Sequence, residues 1–409
     1  MKFRKYQLEL IKKGTSIIER SKFLYLAMEV RTGKTLTSLG IYEKLQIKKL
    51  LFITKKKAIS SIEYDYTMLN PSFELTVINY ESLHKMPQTG WDAIVCDEAH
   101  SMGAFPKPNK RSKQVKEIIR RSTPFVILMS GTPTPESYSQ MYHQVYGVPG
   151  NPFWGFKSFY AFAKQYIKVR QRKIGSMYVN DYSKGLRSIL DVMKPYTLNY
   201  TQKRAGFLTT TSEDVLRVRL KDSTLNLISK LKRDLVVEGE SDVILADTSV
   251  KLMTKLHQLY SGTIKFESGN SMVVDYSKAE FIKKHFKNKK IGIFYKFKEE
   301  LNALKKVFGD DICVDLECFD TTDKNIALQI VSGREGISLR KAEALIYYNI
   351  DFSATSYWQS RDRMTTKDRL YNKIYWIFSS NGIEDEIYRA VVKKKDYTLN
   401  HFKRDLLTL

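Results

Sequence analysis

Phe23-Leu24-Tyr25-Leu26-Ala27-Met28-Glu29-Val30-Arg31-Thr32-Gly33-Lys34-Thr35 is the stretch that decides the fold. Phe23–Met28 is apolar throughout, as a strand buried on both faces must be. A polar turn ending in Gly33-Lys34-Thr35 follows, and then a helix-compatible stretch, Leu36–Leu45. Strand, Gly-Lys-Thr turn and helix make a phosphate-loop arrangement. Its backbone N–H groups and helix N-terminus cradle phosphates, Lys34 reaches the outer phosphates, and the Thr35 hydroxyl is placed to ligate Mg²⁺. The pattern is incomplete, because the leading glycine of the full motif falls at Met28. A lone Gly-Lys-Thr is weak; its place between strand and helix strengthens it.

Downstream, Leu50–Thr54, Leu75–Ile78, Asp92–Cys96 and Phe125–Met129 read as further strands, alternating with helical stretches. That alternation implies a parallel sheet with right-handed crossovers. Asp97-Glu98-Ala99-His100 sits directly after one of these strands. A carboxylate there, beside a phosphate loop, suits Mg²⁺ held through water, which assigns Asp97. Glu98 is then placed to orient or deprotonate an attacking water. The bland alternative is an acidic helix-capping turn. Ser130-Gly131-Thr132-Pro133 follows the next strand, with hydroxyls suited to couple the carboxylates to a moving part.

A second strand series comprises Lys290–Tyr295, Ile312–Asp315, Ile326–Val331, Ala344–Tyr348 and Asn372–Ile377. The chain therefore reads as α/β, with two parallel-sheet lobes over 1–150 and 278–409. Residues 151–277 between them read as a mainly helical, basic insertion. Leu225, Ile228, Leu231 and Leu235 fall on one helical face, and Asp247 is the expected N-cap of a helix carrying Val250, Met253, Leu256 and Leu259. From Lys164 to Arg204 there are ten Lys or Arg against two Asp, interleaved with Tyr166, Tyr178, Tyr182, Tyr196 and Tyr200. Arg170, Arg172 and Lys173 lie at its heart. Two readings weigh evenly: a phosphate-tracking surface with stacking platforms, or a solvated face whose tyrosines pack inward.

Composition agrees with a nucleic-acid partner. The 409 residues are 43% hydrophobic and 27% charged, with 68 Lys plus Arg against 44 Asp plus Glu, a net charge of +24. Such a surplus favours a polyanion. A membrane partner loses its support because no run approaches the ~20 apolar residues of a span. Three cysteines without ligand-like spacing argue against a disulfide framework or zinc cluster and for a reducing compartment. The opening residues lack the apolar stretch of a signal peptide, so the expected location is the cytoplasm.

These motifs, in this order, resemble those of the superfamily-two helicases and translocases. The resemblance implies two RecA-like lobes, ATP and Mg²⁺ as cofactors, and DNA gripped through its backbone without sequence preference. Arg4, Tyr6 and Gln7 match the adenine-recognising element, which with Thr32, Gly33, Lys34 and Thr35 completes the nucleotide site. Leu51–Lys55 and Val77–Ser82 are similar to motifs Ia and Ib, which assigns Lys55, Asn79 and Tyr80 to nucleic acid. Ile291–Phe297 resembles motif IV, assigning Lys296. The run Ser332-Gly333-Arg334-Glu335-Gly336-Ile337-Ser338-Leu339 resembles motif V, assigning Ser332 and Arg334 to nucleic acid and Gly336 to nucleotide. Gln359 and Arg363 match the start of motif VI. Met193–Arg204, with the strand Val215–Leu220 and the helix after it, resembles the Swi/Snf branch. The lack of accessory domains is similar to compact phage-encoded members.

One departure matters. The family's arginine finger lies seven residues beyond the motif VI glutamine, at Thr366 here. Three readings stay open: Arg363 or Lys367 reaches instead, Arg361 does so through a local shift, or the ATPase is slow or disabled. The reading adopted is Arg363 facing the γ-phosphate. The resemblance implies a monomeric ATP-dependent DNA helicase or translocase, acting on forked or branched recombination or repair intermediates. The alternatives are a double-strand translocase that remodels DNA–protein complexes, and a binding module with a vestigial ATPase.

Overall fold

The structure, a computed structural model, describes residues 2–174, 177–238, 242–333, 337–366 and 368–393. It divides into two compact units, with the boundary between Phe207 and Leu208.

The first unit opens with helix α1 (Lys5–Ser21), strand β1 (Phe23–Met28), α2 (Lys34–Lys44), β2 (Lys49–Thr54), α3 (Ile59–Leu69), β3 (Glu74–Asn79), β4 (Ala93–Cys96), α4 (Lys110–Ser122) and β5 (Phe125–Met129). It continues with α5 (Met141–Val145), α6 (Phe159–Tyr166), β6 (Arg170–Ile174), β7 (Met177–Asp181), α7 (Ser188–Met193) and β8 (Thr197–Tyr200). The main sheet runs β3-β2-β4-β5-β1-β8 with every pair parallel. Alternation along its strands feeds two cores. Leu24, Leu26, Met28, Phe52, Val95 and Ile127 pack with Leu10 and Ile18 of α1 and Leu39 of α2. Phe23, Tyr25, Ile53, Ile94, Val126 and Leu128 pack with Val115 and Ile119 of α4 and Phe162 of α6. Covering both faces is why these strands are apolar at consecutive positions.

The second unit contains β9 (Thr210–Val218), α8 (Asp222–Asp234), β10 (Val236–Glu238), β11 (Val243–Leu245), α9 (Ser249–Tyr260), β12 (Thr263–Lys265), β13 (Ser271–Val273), α10 (Ser277–His285), β14 (Ile291–Tyr295) and α11 (Lys298–Phe308). Then come β15 (Ile312–Cys313), α12 (Leu316–Thr321), β16 (Asn325–Gln329), α13 (Ile330–Gly333), β17 (Ala344–Tyr347), α14 (Ala354–Ser360), β18 (Tyr371–Ser379) and α15 (Glu384–Val392). Its sheet, β15-β16-β14-β17-β18-β9, is also parallel throughout. Two RecA-like α/β lobes are thus present, each built on six parallel strands.

The stretch between the lobes departs from expectation in its allegiance. It holds the expected helices α6 to α9, but also three antiparallel ribbons, β6–β7, β10–β11 and β12–β13. Its residues divide between the units instead of standing apart as 151–277. β8 extends the first sheet beside β1, and β9 runs along β18 for nine residues. Half of β9 is polar, Thr210 to Asp214, which is why only Val215 onward reads as strand. Three local expectations also shift. The N-cap of α9 is Thr248, whose side chain accepts from the Lys251 N–H, while Asp247 pairs with the Lys251 ammonium at 3.1 Å. Leu235 ends α8 in the left-handed region and is exposed rather than on the apolar face. The strand expected over Ile326–Val331 stops at Gln329 and turns into α13. Among the described residues, no helix is long and apolar enough to cross a membrane.

Candidate nucleotide site

Strand order brings the chemistry together. β5 lies between β1 and β4, so the loops leaving these three strands at their C-terminal ends are neighbours. They are the phosphate loop, Asp97-Glu98-Ala99-His100 and Ser130-Gly131-Thr132. A Cβ built on Gly131 would lie 3.5 Å from the Met28 carbonyl and 3.8 Å from Lys34 Nζ. The Lys34 ammonium donates to the Met28 carbonyl at 2.9 Å and lies close enough to both carboxylates to favour their ionised forms.

The phosphate loop is braced from two sides. Tyr6 donates to the Thr32 carbonyl at 2.9 Å, and the Gln7 amide donates to the Gly33 carbonyl at 3.4 Å. Gln7 is buried, and its Oε1 accepts from the Arg4 N–H at 2.9 Å, so the Arg4-Tyr6-Gln7 element grips the loop. On the other side Tyr6 stacks on Tyr200 of β8, with centroids 4.5 Å apart. The Gln202 N–H donates to Glu29 at 2.6 Å, and its side-chain amide to the Val30 carbonyl at 3.1 Å. Thr32 is fully buried and donates to the Glu29 carbonyl at 2.7 Å. Gly33, the N-cap of α2, has φ +82°, and a Cβ there would come within 2.4 Å of the Gln7 amide nitrogen. Gly33→Ala is therefore expected to strain the loop and unseat Gln7, weakening ATP binding about tenfold or more, read by titration with a fluorescent ATP analogue.

The carboxylates are half-buried and differ in environment. Desolvation, followed by the neighbouring Glu98 charge, pushes Asp97 up to about 6, although Lys34 and a 2.9 Å hydrogen bond from Thr54 oppose it. Burial would raise Glu98 too, but His100, with Lys34 and Lys55, outweighs it and holds Glu98 down at about 2. His100 Nδ1 lies 3.2 Å from Glu98 Oε2 and 3.0 Å from Ser130 Oγ, linking the second and third loops. Glu98 has φ 49°, a left-handed backbone of the kind found where a side chain must be aimed. Two crowded carboxyls, plus the Thr35 hydroxyl at the start of α2, are a donor set that fits Mg²⁺. Among the described residues no three His, Cys, Asp or Glu side chains form a metal cage.

Other assigned residues fare differently. Lys55 follows β2, half-buried, within reach of the Glu98 charge. Asn79 donates to Glu81 at 3.1 Å. Tyr80 is buried, and its hydroxyl donates to the Asp97 carbonyl at 2.6 Å, so it supports the acidic loop. In the basic segment Tyr166 and Tyr200 are buried, Tyr182 packs on Phe159 and Tyr196 on Phe23, and Tyr178 alone among the five is strongly exposed. The inward-packing reading holds for four of them. Arg170 and Lys173 are exposed on the β6–β7 ribbon, and the Arg172 side chain lies outside the described residues.

The second unit holds Lys296, which the resemblance assigns to nucleic acid. It pairs with Asp351 at 2.9 Å and covers the Phe352 ring at 3.9 Å, which leaves its charge already compensated. Ser332 is exposed and donates to the Gln329 carbonyl, whereas Arg334 and Gly336 lie outside the described residues. Arg363 is the residue expected to face the γ-phosphate. It is buried, and its guanidinium donates to the Gln359 carbonyl at 2.9 Å and the Ile337 carbonyl at 3.3 Å. It shapes the turn after α14 and ties it to Ile337, within the run that resembles motif V. Gln359 is buried beside it. Arg361 pairs with Glu213 at 2.7 Å.

Glu213, which nothing in the sequence singled out, is the hub of this region. Its carboxylate accepts from Tyr357 at 3.0 Å, Trp376 Nε1 at 3.1 Å and Tyr388 at 3.3 Å, besides Arg361. It thereby fastens β9, α14, β18 and α15 together. Glu213→Ala strands the Arg361 charge and three polar groups, and the expected loss is about 3–5 kcal/mol, read from the urea unfolding midpoint of the second unit.

Residues 46–263 match the family model of the SNF2-related domain, more than half of the chain. No curated protein matches the sequence. Among solved structures the chain is similar to a Sulfolobus solfataricus SWI2/SNF2 ATPase core in complex with dsDNA, at TM-score 0.44 and 15% identity, covering 96% of this chain and 91% of that one. It is also similar to the SWI2/SNF2 ATPase core domain of the same organism, at TM-score 0.43 and 15% identity, covering 96% and 89%.

Proposed function

The chain belongs to the family of SNF2-related domains, and from that premise we propose that it is an ATP-driven motor that moves along DNA. The observation that carries the reading is the convergence of Lys34, Asp97, Glu98, His100 and Ser130 at the C-terminal ends of three adjacent strands of the first sheet. ATP lies with its phosphates on the phosphate loop. The Lys34 ammonium exchanges the Met28 carbonyl for the outer phosphates, and the backbone N–H groups at the start of α2 complete the cradle. Thr35 and Asp97 would hold Mg²⁺, which supplies positive charge to the phosphate oxygens. Glu98, kept ionised by His100, orients the attacking water and takes its proton. The contact of His100 with Ser130 gives the site a route to the loop after β5.

DNA is the track. The +24 charge and the basic ribbon in the first unit support a grip on phosphates. Binding is then independent of sequence and weakens steeply with salt. Family membership supports motion along a duplex over strand separation, and activity on forked or branched DNA is the finer form of the same proposal. Displacing a third strand from a triplex, using ATP, reads duplex translocation. A forked duplex with a labelled strand reads unwinding. The proposal expects triplex displacement that stops in Lys34→Ala; a wild-type chain that hydrolyses ATP yet displaces neither strand contradicts it.

A second reading, a binding module with a vestigial ATPase, has an observation in its favour. Thr366 stands at the finger position, and Arg361 and Arg363 are each engaged within the second unit. Tight duplex binding with no hydrolysis by the wild type supports that reading.

A further inference from the structure

The β6–β7 ribbon belongs to neither six-stranded sheet. Its base is fixed to the first unit: Ile167 is buried and bridges to Gly185, the Leu186 N–H donates to the Tyr166 carbonyl at 2.8 Å, and Ser139 donates to the Tyr182 carbonyl at 2.6 Å. Gly185 is pressed so close that a Cβ would meet the Ser139 nitrogen at 2.6 Å. Beyond that anchor the ribbon is exposed. Lys168, Val169, Arg170, Gln171, Lys173, Tyr178, Val179 and Asn180 are all open to solvent. A two-stranded ribbon is at best marginally stable in water when neither face is covered.

The register says what the ribbon supplies. Lys173 pairs with Tyr178 and Gln171 with Asn180, which puts these four residues on one face. That face has an ammonium, two amides, a phenol and no carboxylate, facing a solvent-filled space. The opposite face carries Arg170 opposite Asp181, Arg172 opposite Val179 and Ile174 opposite Met177, and Lys168 and Lys184 flank the base, the Lys168 N–H donating to the Lys184 carbonyl at 3.0 Å. Positive charge along the rims with amide and phenol groups between them complements a groove walled by phosphates. Size decides which groove. Five residues per strand span about 17 Å, and the strands lie about 4.8 Å apart before side chains are added. The major groove of B-form DNA, about 12 Å wide, admits a two-stranded ribbon; the minor groove, about 6 Å wide, does not.

From this we infer that the β6–β7 ribbon lies in the major groove of duplex DNA, with Arg170 and Lys173 on the phosphate walls and Tyr178 and the amides toward the base edges. The inference rests on DNA being the track. It assigns the ribbon a duplex rather than a single strand, and it makes the ribbon a rail that keeps the motor in register with the helix.

The test is dimethyl sulfate probing of a short linear duplex bound to the full-length protein without nucleotide. Guanine N7 reports the major groove and adenine N3 the minor groove. The expected result is protection of guanine N7 with adenine N3 still reactive. In R170A/K173A that protection is lost, duplex affinity falls about tenfold, and the log–log salt slope falls by about 1.8, from two phosphate contacts. Both positions are exposed, and an unchanged melting temperature certifies the fold. Wild-type protein that binds the duplex but leaves guanine N7 reactive, or shields adenine N3 instead, overturns the ribbon assignment alone. Protein that does not bind duplex at all overturns both the ribbon and the DNA motor.

Discussion

Phosphate release by Lys34→Ala is expected to fall by about 10³-fold, with ATP affinity falling as well. The reason is geometric and electrostatic. Lys34 is the first residue of α2, its ammonium rests on a carbonyl of the loop that would cradle the phosphates, and its charge acts on both Asp97 and Glu98. Its ammonium donates to the Met28 and Glu29 carbonyls of the loop itself, outside the hydrophobic cores. The change is therefore expected in turnover and nucleotide titration, with the melting temperature close to wild type. A variant that retains wild-type turnover would mean that the loop after β1 does not hold the triphosphate.

Glu98→Gln separates binding from chemistry. The amide keeps the size of the carboxylate and the aim set by the left-handed backbone at Glu98, but it cannot accept the proton of the attacking water. Single-turnover hydrolysis is expected to fall about 10²- to 10⁴-fold, while a fluorescent ATP analogue binds within a few-fold of wild type. A loss of binding equal to the loss of rate would instead assign Glu98 to holding nucleotide. The pairing with His100 at 3.2 Å makes the first outcome the expected one, because it keeps Glu98 ionised and directed without needing the nucleotide.

Much of this was legible from the residues. Strands covered on both faces are continuous apolar runs, so Phe23–Met28 and Phe125–Met129 could be bounded to the residue, and the order of loops after them set out the nucleotide site. What escaped has physical reasons. His100 and Ser130 are thirty residues apart, and only the order of parallel strands makes them neighbours. β8 is four residues long and looked like part of a basic helical segment until it paired with β1. Glu213 is one acid in a half-polar strand, and its importance comes from four partners that lie far along the chain. Spacing placed Arg363 in motif VI but could not reveal its direction, which is set by the Gln359 and Ile337 carbonyls. The tyrosines of the basic segment alternated with charge in the sequence, yet four of five turned inward because aromatic area is most stable in the core.

The most direct measurement is ATP hydrolysis by the wild-type protein with and without linear duplex DNA, beside Lys34→Ala. An ATP-driven motor on DNA is expected to show hydrolysis that the duplex stimulates at least about tenfold and that the variant lacks. A duplex that binds tightly while wild-type hydrolysis stays at the level of Lys34→Ala would contradict it.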